Sequence, residues 1–310
     1  MKIIDVEVIK WHPGTGKNFI YIKLSTDAGI TGWGEAYSQS DRDTQIETHV
    51  DQLSRYLIDR DPFHIRHFMH VAHEDFATKR SAMDLHCALS GIEIAMWDIV
   101  GKSLGTPVYN LLGGRCREKI RVYANGWGMR LTDGDGERAK ARVDEGFTAL
   151  KFDPFPGPWR THISRDDEDA AVECVRGIRE AVGPKGDLLI EVHRRLAPMH
   201  AIRVAHRMEE FDLFWYEEPV SSMNIDALVD VKRAIDTPVV TGEELYTKAE
   251  FREVLEKGAA DILNADVCNC GGILELKEIG AMAESYYVVM SPHNYNSTSV
   301  ALAATMHACA

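Results

Sequence analysis

No run of apolar residues in the 310-residue sequence is long enough to span a bilayer. The N-terminal stretch MKIIDVEVIKW has neither a long apolar core nor a cleavage site, so neither a membrane anchor nor a secretory leader is expected. Basic charge is also short: 35 Lys and Arg face 48 Asp and Glu, a formal net charge of -13. Nucleic-acid binding needs a basic face, and none is visible. An anionic small-molecule substrate is not excluded, because a bound metal can reverse the local sign. The six cysteines show no pairing pattern, which suits a reducing cytoplasm. Cys268-x-Cys270 stands alone and reads as packing rather than as a metal or redox motif.

What is present is the composition of an ordinary globular protein, 45% hydrophobic and 27% charged. The length accommodates one large domain and a smaller one. Residues 1 to 37 read as an antiparallel meander. Ile4, Val6 and Val8 alternate with polar neighbours, as do Ile20, Ile22 and Leu24, and Asp27-Ala28-Gly29 marks a turn. From Asp41 to about Leu112 the pattern is helical. Its strongest helix runs from Ser81 to Leu104, with Leu85, Leu89, Ile92, Met96 and Ile99 on one stripe, and stops before Pro107. Gly113-Gly114 then punctuates a change of pattern. The expected division is an α+β domain over residues 1–113 and a second domain over 114–310.

Beyond Lys119 strand and helix signals alternate. Seven strand-like runs, IRVYANGW, ALKFDPF, LLIEVH, LFWYEEP, PVVTGEE, DILNADV and YYVVMSPHN, are separated by amphipathic stretches such as Glu168–Val182, Ala201–Phe211, Ile225–Ile235 and Lys248–Lys257. This points to an α/β fold of TIM-barrel type with its active residues at the strand C-termini. A doubly wound open sheet is the alternative. It needs a glycine-rich phosphate turn after its first strand, and ANGWGM is a poor one. The long connection from Pro154 to Asp166 reads as a functional excursion over the mouth.

Three carboxylates recur at equal intervals on consecutive strand signals. Glu191 to Glu217 is 26 residues, and Glu217 to Glu243 is again 26. That is the length of one βα unit, so each acid is expected to close a strand at the same level. Each like-charge pair at 4 Å costs about 4 kcal/mol at an effective dielectric of ~20. A divalent cation removes that penalty, and hard oxygen ligands favour Mg²⁺. Any one of these acids alone would read as a surface or salt-bridge residue. Their shared spacing carries the metal reading.

The segment ALSGIEIAMWDIVGKSLGTPVYNLLGG, Lys151 in ALKFDPF, the spaced acids, Asp266 in NADVCNCGG and His293 in SPHN together resemble the enolase superfamily, mandelate racemase subgroup. The resemblance covers essentially the whole chain. ALKFDPF on strand two and EVH on strand three are most similar to the sugar-acid dehydratases acting on gluconate or galactonate. The resemblance implies a capping α+β domain on a modified TIM barrel, Mg²⁺ at Glu191, Glu217 and Glu243, and abstraction of the proton next to a substrate carboxylate. It also implies homo-oligomers. His293 would be the base, Asp266 would orient and charge it, and Lys151 would reach the substrate carboxylate. Removing that proton leaves an enediolate with two negative oxygens, which the metal would stabilise. The magnesium-assisted proton abstraction of this superfamily is among the standard cases of such chemistry.

His193 separates dehydratase from racemase. It follows Glu191 by two residues, so both side chains are expected on one face. Strands three and seven of a barrel are opposed, so His193 and His293 would approach a substrate from opposite sides. His193, as imidazolium, would protonate the departing 3-hydroxyl in an anti elimination giving a 2-keto-3-deoxy acid. Taken alone, His193 reads as a packed strand histidine. Racemases of the subgroup carry K-x-K on the second strand, whereas here the run is Lys151-Phe152-Asp153, so the second lysine base is missing. Glu218 is expected to point away from the metal. Arg194 and Arg195 read equally as substrate contacts or as a solvated loop. The loops Trp11–Asn18 and Tyr37–Arg42, with Trp159, are candidates for substrate selection.

An eighth strand signal is missing before Ala310, and a barrel without it would expose strand edges and core. The letters alone leave open an incomplete rendering of a longer chain and a truncated protein. Two other functions stay open with the dehydratase: an epimerase or racemase of another hydroxy acid, and a folded remnant without catalysis.

Overall fold

The computed structural model describes every residue except 15, 39–40, 78–81, 128–133, 158–159 and 296. It opens with an antiparallel sheet of three strands in chain order, β1 (Ile3–Trp11), β2 (Phe19–Thr26) and β3 (Thr31–Ala36). Ile20, Ile22 and Leu24 of β2 are fully buried on one face, as their alternation predicts. The turn joining β2 to β3 is closed by the Gly29 amide on the Thr26 carbonyl. Gly29 takes φ +76° there, a conformation that glycine adopts without strain.

Helices α1 (Asp43–Leu53) and α2 (Ile65–Ala72) follow, then the long α3 (Met83–Leu104) and the short α4 (Val108–Leu111). Helix α3 lies against β3 so closely that a Cβ at Gly32 or Gly34 would overlap the carbonyl oxygens of Ala95 and Gly91. The sequence pattern showed one apolar stripe on this helix. In the structure every residue from Asp84 to Met96 is buried, because sheet, helices and the second unit cover it on all sides.

The second unit alternates helix and strand. In order come α5 (Asp135–Asp144), β4 (Ala149–Phe152), α6 (Arg165–Val182), β5 (Asp187–Glu191), α7 (Pro198–Met208), β6 (Trp215–Glu217), α8 (Ile225–Ala234), β7 (Val239–Thr241), α9 (Thr247–Lys257), β8 (Ile262–Leu263), α10 (Ile273–Ser285), β9 (Val289–Met290) and α11 (Ser299–Cys309). The six strands form one curled parallel sheet in chain order. A doubly wound sheet reverses its strand order at a switch point, and this one does not.

IRVYANGW, expected as a full strand, contributes a single bridge. Its Ala124 amide donates to the Ala149 carbonyl at 2.9 Å, and the Lys151 amide to the Ala124 carbonyl at 2.8 Å. Among the described residues that segment has no neighbour on its other edge, so Val122 is half exposed. Val289 of β9, the opposite edge, is exposed as well. A cavity of about 880 Å³ lies between these two edges, and none of the seven site candidates lines it.

Two carboxylates of the N-terminal unit hold helices of the second. Glu93, in the middle of α3, accepts the Ile273 and Leu274 amides at 2.7 and 2.9 Å, together with the Trp97 indole at 2.7 Å. Glu35, in β3, accepts the Thr298 amide and hydroxyl and the Ala301 amide. Each carboxylate therefore caps a helix N-terminus, of α10 and α11 respectively, where orphan donors and the helix dipole favour negative charge.

Replacing Glu93 by Ala leaves the buried Ile273 amide and the half-buried Leu274 amide and Trp97 indole without this acceptor, and is expected to cost about 3 kcal/mol or more in urea unfolding. Burial pushes the Glu93 carboxyl up from 4.5 to about 8, against the pull of its donors. A carboxyl raised in this way adds stability that is complete below its unfolded pKa and lost as the pH rises through its native one. Glu93→Gln is therefore expected to flatten the fall in stability between about pH 5 and pH 8 relative to wild type. A mutant with the wild-type slope would contradict this.

Candidate active site

Glu191 and Glu217 are the last residues of β5 and β6 and face each other in register. Glu243 does not close its strand, as the equal spacing had suggested. It follows β7 by two residues, across Gly242 at φ +136°. A Cβ at Gly242 would press on the Phe251 ring, so the chain turns here only because the residue is glycine. The turn still delivers the third acid: carboxylate oxygens of Glu191, Glu217 and Glu243 all lie within 4.8 Å of one another.

The charge of this cluster is partly balanced by the protein. Lys151, buried on β4, places Nζ 2.9 Å from Glu191 and also bonds Glu217. Asn264 donates to Glu217 at 2.7 Å, and the His193 amide donates to Glu191 at 2.7 Å. Burial works against ionisation of Glu191, but Lys151 holds its carboxyl below the ordinary range. Burial and then the charge of Glu191 push Glu217 well above it. Glu217 Oε2 is buried with no hydrogen-bond partner among the described residues. An orphaned oxygen among three hard carboxylates, with no sulfur in the set, fits a divalent cation of the magnesium or calcium type.

Asp266 and His293 each lie three residues beyond their strands, β8 and β9, and an isolated bridge joins their backbones. His293 Nδ1 is 2.8 Å from Asp266 Oδ2, and Nε2 is 3.0 Å from Glu243 Oε2. Burial disfavours the imidazolium, yet Glu243 and Asp266 together raise His293 to about 10.

His193 stands at the other end of the glutamate row, past the end of β5. It and Arg194 both take positive φ, +53° and +61°, conformations that persist only where the surroundings enforce them. His193 Nδ1 is 2.9 Å from Asp153 Oδ2. Burial lowers the His193 pKa and Asp153 raises it, with a net upward shift.

Asp153 is the residue that sequence reasoning missed, having been read only as the place of an absent lysine. The signal was available: alternation puts residues 151 and 153 on one face, level with Leu189 and Glu191 on the next strand. Arg194 and Arg195 form no solvated loop. Arg194 pairs with Glu243 and Glu244, and Arg195 bonds Asp153 and the Val192 carbonyl. Glu218 is outside the acid cluster, as alternation predicted, and accepts the Thr241 hydroxyl and the Gly242 amide, each at 2.8 Å.

Of the substrate-selection candidates, Tyr37 brings its ring to 6.4 Å from that of His293, centroid to centroid. Trp11 is half exposed and stacks on Phe19. Thr15, Gln39, Ser40 and Trp159 lie outside the described residues. From Pro154 to Asp166 the described part of the connection is tied to the loop after β5, with the Thr161 amide on the Arg195 carbonyl at 2.7 Å.

Residues 9–113 match the mandelate racemase / muconate lactonizing enzyme N-terminal domain, and residues 135–310 match the enolase C-terminal domain-like family. The chain belongs to the mandelate racemase / muconate lactonizing enzyme family of the enolase superfamily. Within that family it is 38% identical, over 277 residues, to a D-gluconate/D-galactonate dehydratase of Picrophilus torridus, covering 89% of this chain and 70% of that protein. It is 35% identical over 278 residues to a D-gluconate dehydratase of Thermoproteus tenax, covering 89% of this chain but only 55% of the relative. A crystal structure of a mandelate racemase/muconate lactonizing enzyme-like protein from Roseovarius sp. TM1035 superposes with a TM-score of 0.92 at 38% identity. The match covers 99% of this chain and 82% of that one.

For this family member, titration calorimetry of chelator-treated protein with Mg²⁺ is expected to show one site per chain. Glu217→Gln, which removes one ligand charge, should weaken that site by about 100-fold or more. Binding of equal strength in wild type and mutant would remove these carboxylates from consideration as ligands.

Proposed function

We propose that this chain is an Mg²⁺-dependent dehydratase of a sugar acid, an aldonate such as gluconate or galactonate, yielding a 2-keto-3-deoxy acid. The observation that carries the reading is a row of three glutamates with a carboxylate-backed histidine at each end, His193 on Asp153 and His293 on Asp266. The names of the Picrophilus and Thermoproteus relatives support the substrate class. Glu191, Glu217 and Glu243 would hold the cation, with residues 1–113 as the capping domain. When bound, Mg²⁺ supplies positive charge against the negative charge that grows on the substrate carboxylate as its neighbouring proton leaves.

The remaining work falls to side chains. Lys151 orients the substrate carboxylate beside the glutamate row. His293 Nε2 removes the C2 proton, and Asp266 compensates the charge the ring acquires. His193, held as imidazolium by Asp153, delivers a proton to the 3-hydroxyl, which departs as water. The resulting enol becomes the 2-keto acid. Because the two histidines sit at opposite ends of the row, proton and hydroxyl leave from opposite faces. The racemase alternative needs a second base at the second strand. Asp153 occupies that position, and its oxygens are already engaged by His193 and Arg195.

Screening hexonates and pentonates for 2-keto acid formation, with and without chelator, is expected to give a metal-dependent product. Incorporation of solvent deuterium at C2 without loss of water would favour the epimerase instead. Asp153→Asn and His193→Asn are each expected to lower dehydration by about 100-fold or more while leaving C2 exchange with D₂O measurable. His293→Asn should abolish both. Equal loss of exchange and elimination in the His193 variant would overturn its role as the acid.

A further inference from the structure

Glu218, the residue after β6, is fully buried and lies outside the acid cluster, yet it bonds two segments that flank the third acid. Its amide continues the ladder to β7, donating to the Val240 carbonyl at 2.9 Å. Its carbonyl accepts the Arg194 amide at 2.8 Å, from the loop after β5. Its side chain reaches the end of β7, where Oε1 accepts the Thr241 hydroxyl and the Gly242 amide, each at 2.8 Å. Oε2 is buried with no hydrogen-bond partner among the described residues. Glu218 takes φ +46° to make these contacts, a conformation that a residue other than glycine keeps only where its surroundings over-determine it.

The turn needs an acceptor at that point. Strand β7 ends at Thr241, and the Gly242 amide lies past the last pair of the ladder. A buried amide left without an acceptor is costly, so the Gly242 N–H keeps the turn on the Glu218 carboxylate. On the far side of Glu243, its carbonyl accepts the Asn269 side-chain amide at 2.9 Å. The Glu243 carboxylate itself pairs with Arg194, whose backbone is held by the Glu218 carbonyl. Glu218 therefore fixes the residue before Glu243 through its side chain and the partner of Glu243 through its backbone.

We propose that Glu218 is a positioning residue for the cation site: it holds the Gly242 turn so that the Glu243 carboxylate meets Glu191 and Glu217. It touches no ion itself, and the reach of its side chain carries the role rather than its charge. This rests on the reading of the three acids as Mg²⁺ ligands. The test titrates chelator-treated wild type, Glu218→Gln, Glu218→Asp and Glu243→Gln with Mg²⁺ by calorimetry and records each melting temperature. Glutamine keeps an acceptor oxygen within reach of the Thr241 and Gly242 donors but no charge. Aspartate keeps the charge and is one methylene too short for the Gly242 amide.

Glu218→Asp is expected to weaken Mg²⁺ binding by about tenfold or more, and Glu218→Gln to stay within about threefold of wild type. The reverse order, or equal loss in both, would assign the effect to charge and overturn the proposal. A lower melting temperature of Glu218→Asp with wild-type affinity would show a merely structural role and overturn it as well. A second measurement needs no variant: the Gly242 amide of wild type should already be protected from hydrogen exchange before Mg²⁺ is added. An amide that exchanges freely until the ion binds would contradict a turn held by Glu218. Loss of affinity in Glu243→Gln with none in Glu218→Asp would refute the role of Glu218 and leave the ligand reading standing. Wild type that binds no Mg²⁺ would refute both.

Discussion

Three carboxylates within 4.8 Å of one another, two of them buried and Glu243 half-buried, are the constraint around which the second unit is organised. Like charges at that spacing repel strongly in a medium of low polarisability. The protein answers with Lys151 between Glu191 and Glu217, Arg194 on Glu243, and the imidazole of His293 on the same residue. These cations do not complete the balance, since Glu217 is still pushed up and keeps an unpartnered oxygen. A cluster so incompletely neutralised by its own side chains is poised for a divalent ion. The same deficit explains the strongly shifted groups surrounding it.

The N-terminal unit is likewise positioned by buried carboxylates. Glu93 and Glu35 reach across to the first turns of α10 and α11, the helices that follow β8 and β9. Those strands lead into Asp266 and His293, so capping their helices fixes this pair and the overlying loops in one frame. Tyr37, one residue beyond β3, is bonded through its amide to Cys268, two residues from Asp266. Thus a β3 residue, a helix N-terminus and the imidazole ring are linked through short covalent spans. This is how a separate α+β unit can contribute side chains to a site built at strand ends.

Much of this was legible in the letters, for physical reasons that differ from residue to residue. The repeat of 26 residues between acids works because a βα unit has a narrow length distribution. Asp266 and His293 were found through motifs and now stand paired at 2.8 Å. Register at the strand ends was less legible: Gly242 shifts Glu243 beyond β7, an adjustment of backbone conformation that periodicity does not encode. IRVYANGW has the composition of a strand but forms one bridge, because strand formation depends on a neighbour and not on propensity alone. Asp153 was read only as the place of an absent lysine, and the two arginines equally as substrate contacts or a solvated loop, because an isolated charged residue does not disclose a partner 40 or more positions away.

Two histidines in similar settings need a reason to take different roles, and their carboxylate partners supply one. Asp153 shares its oxygens between His193 and the guanidinium of Arg195, so part of its negative charge is engaged elsewhere. Among the described residues, Asp266 gives one oxygen to His293 and the other to a backbone amide, that of Cys268. An unshared carboxylate raises the basicity of its imidazole more than a shared one does. His293 also has the negative Glu243 at its Nε2, and among the described residues His193 pairs with Asp153 alone. Both effects make His293 the stronger base and leave His193 the readier proton donor. That asymmetry supports base and acid in the order proposed, and part of it comes from Arg195, a residue that need not touch the substrate at all.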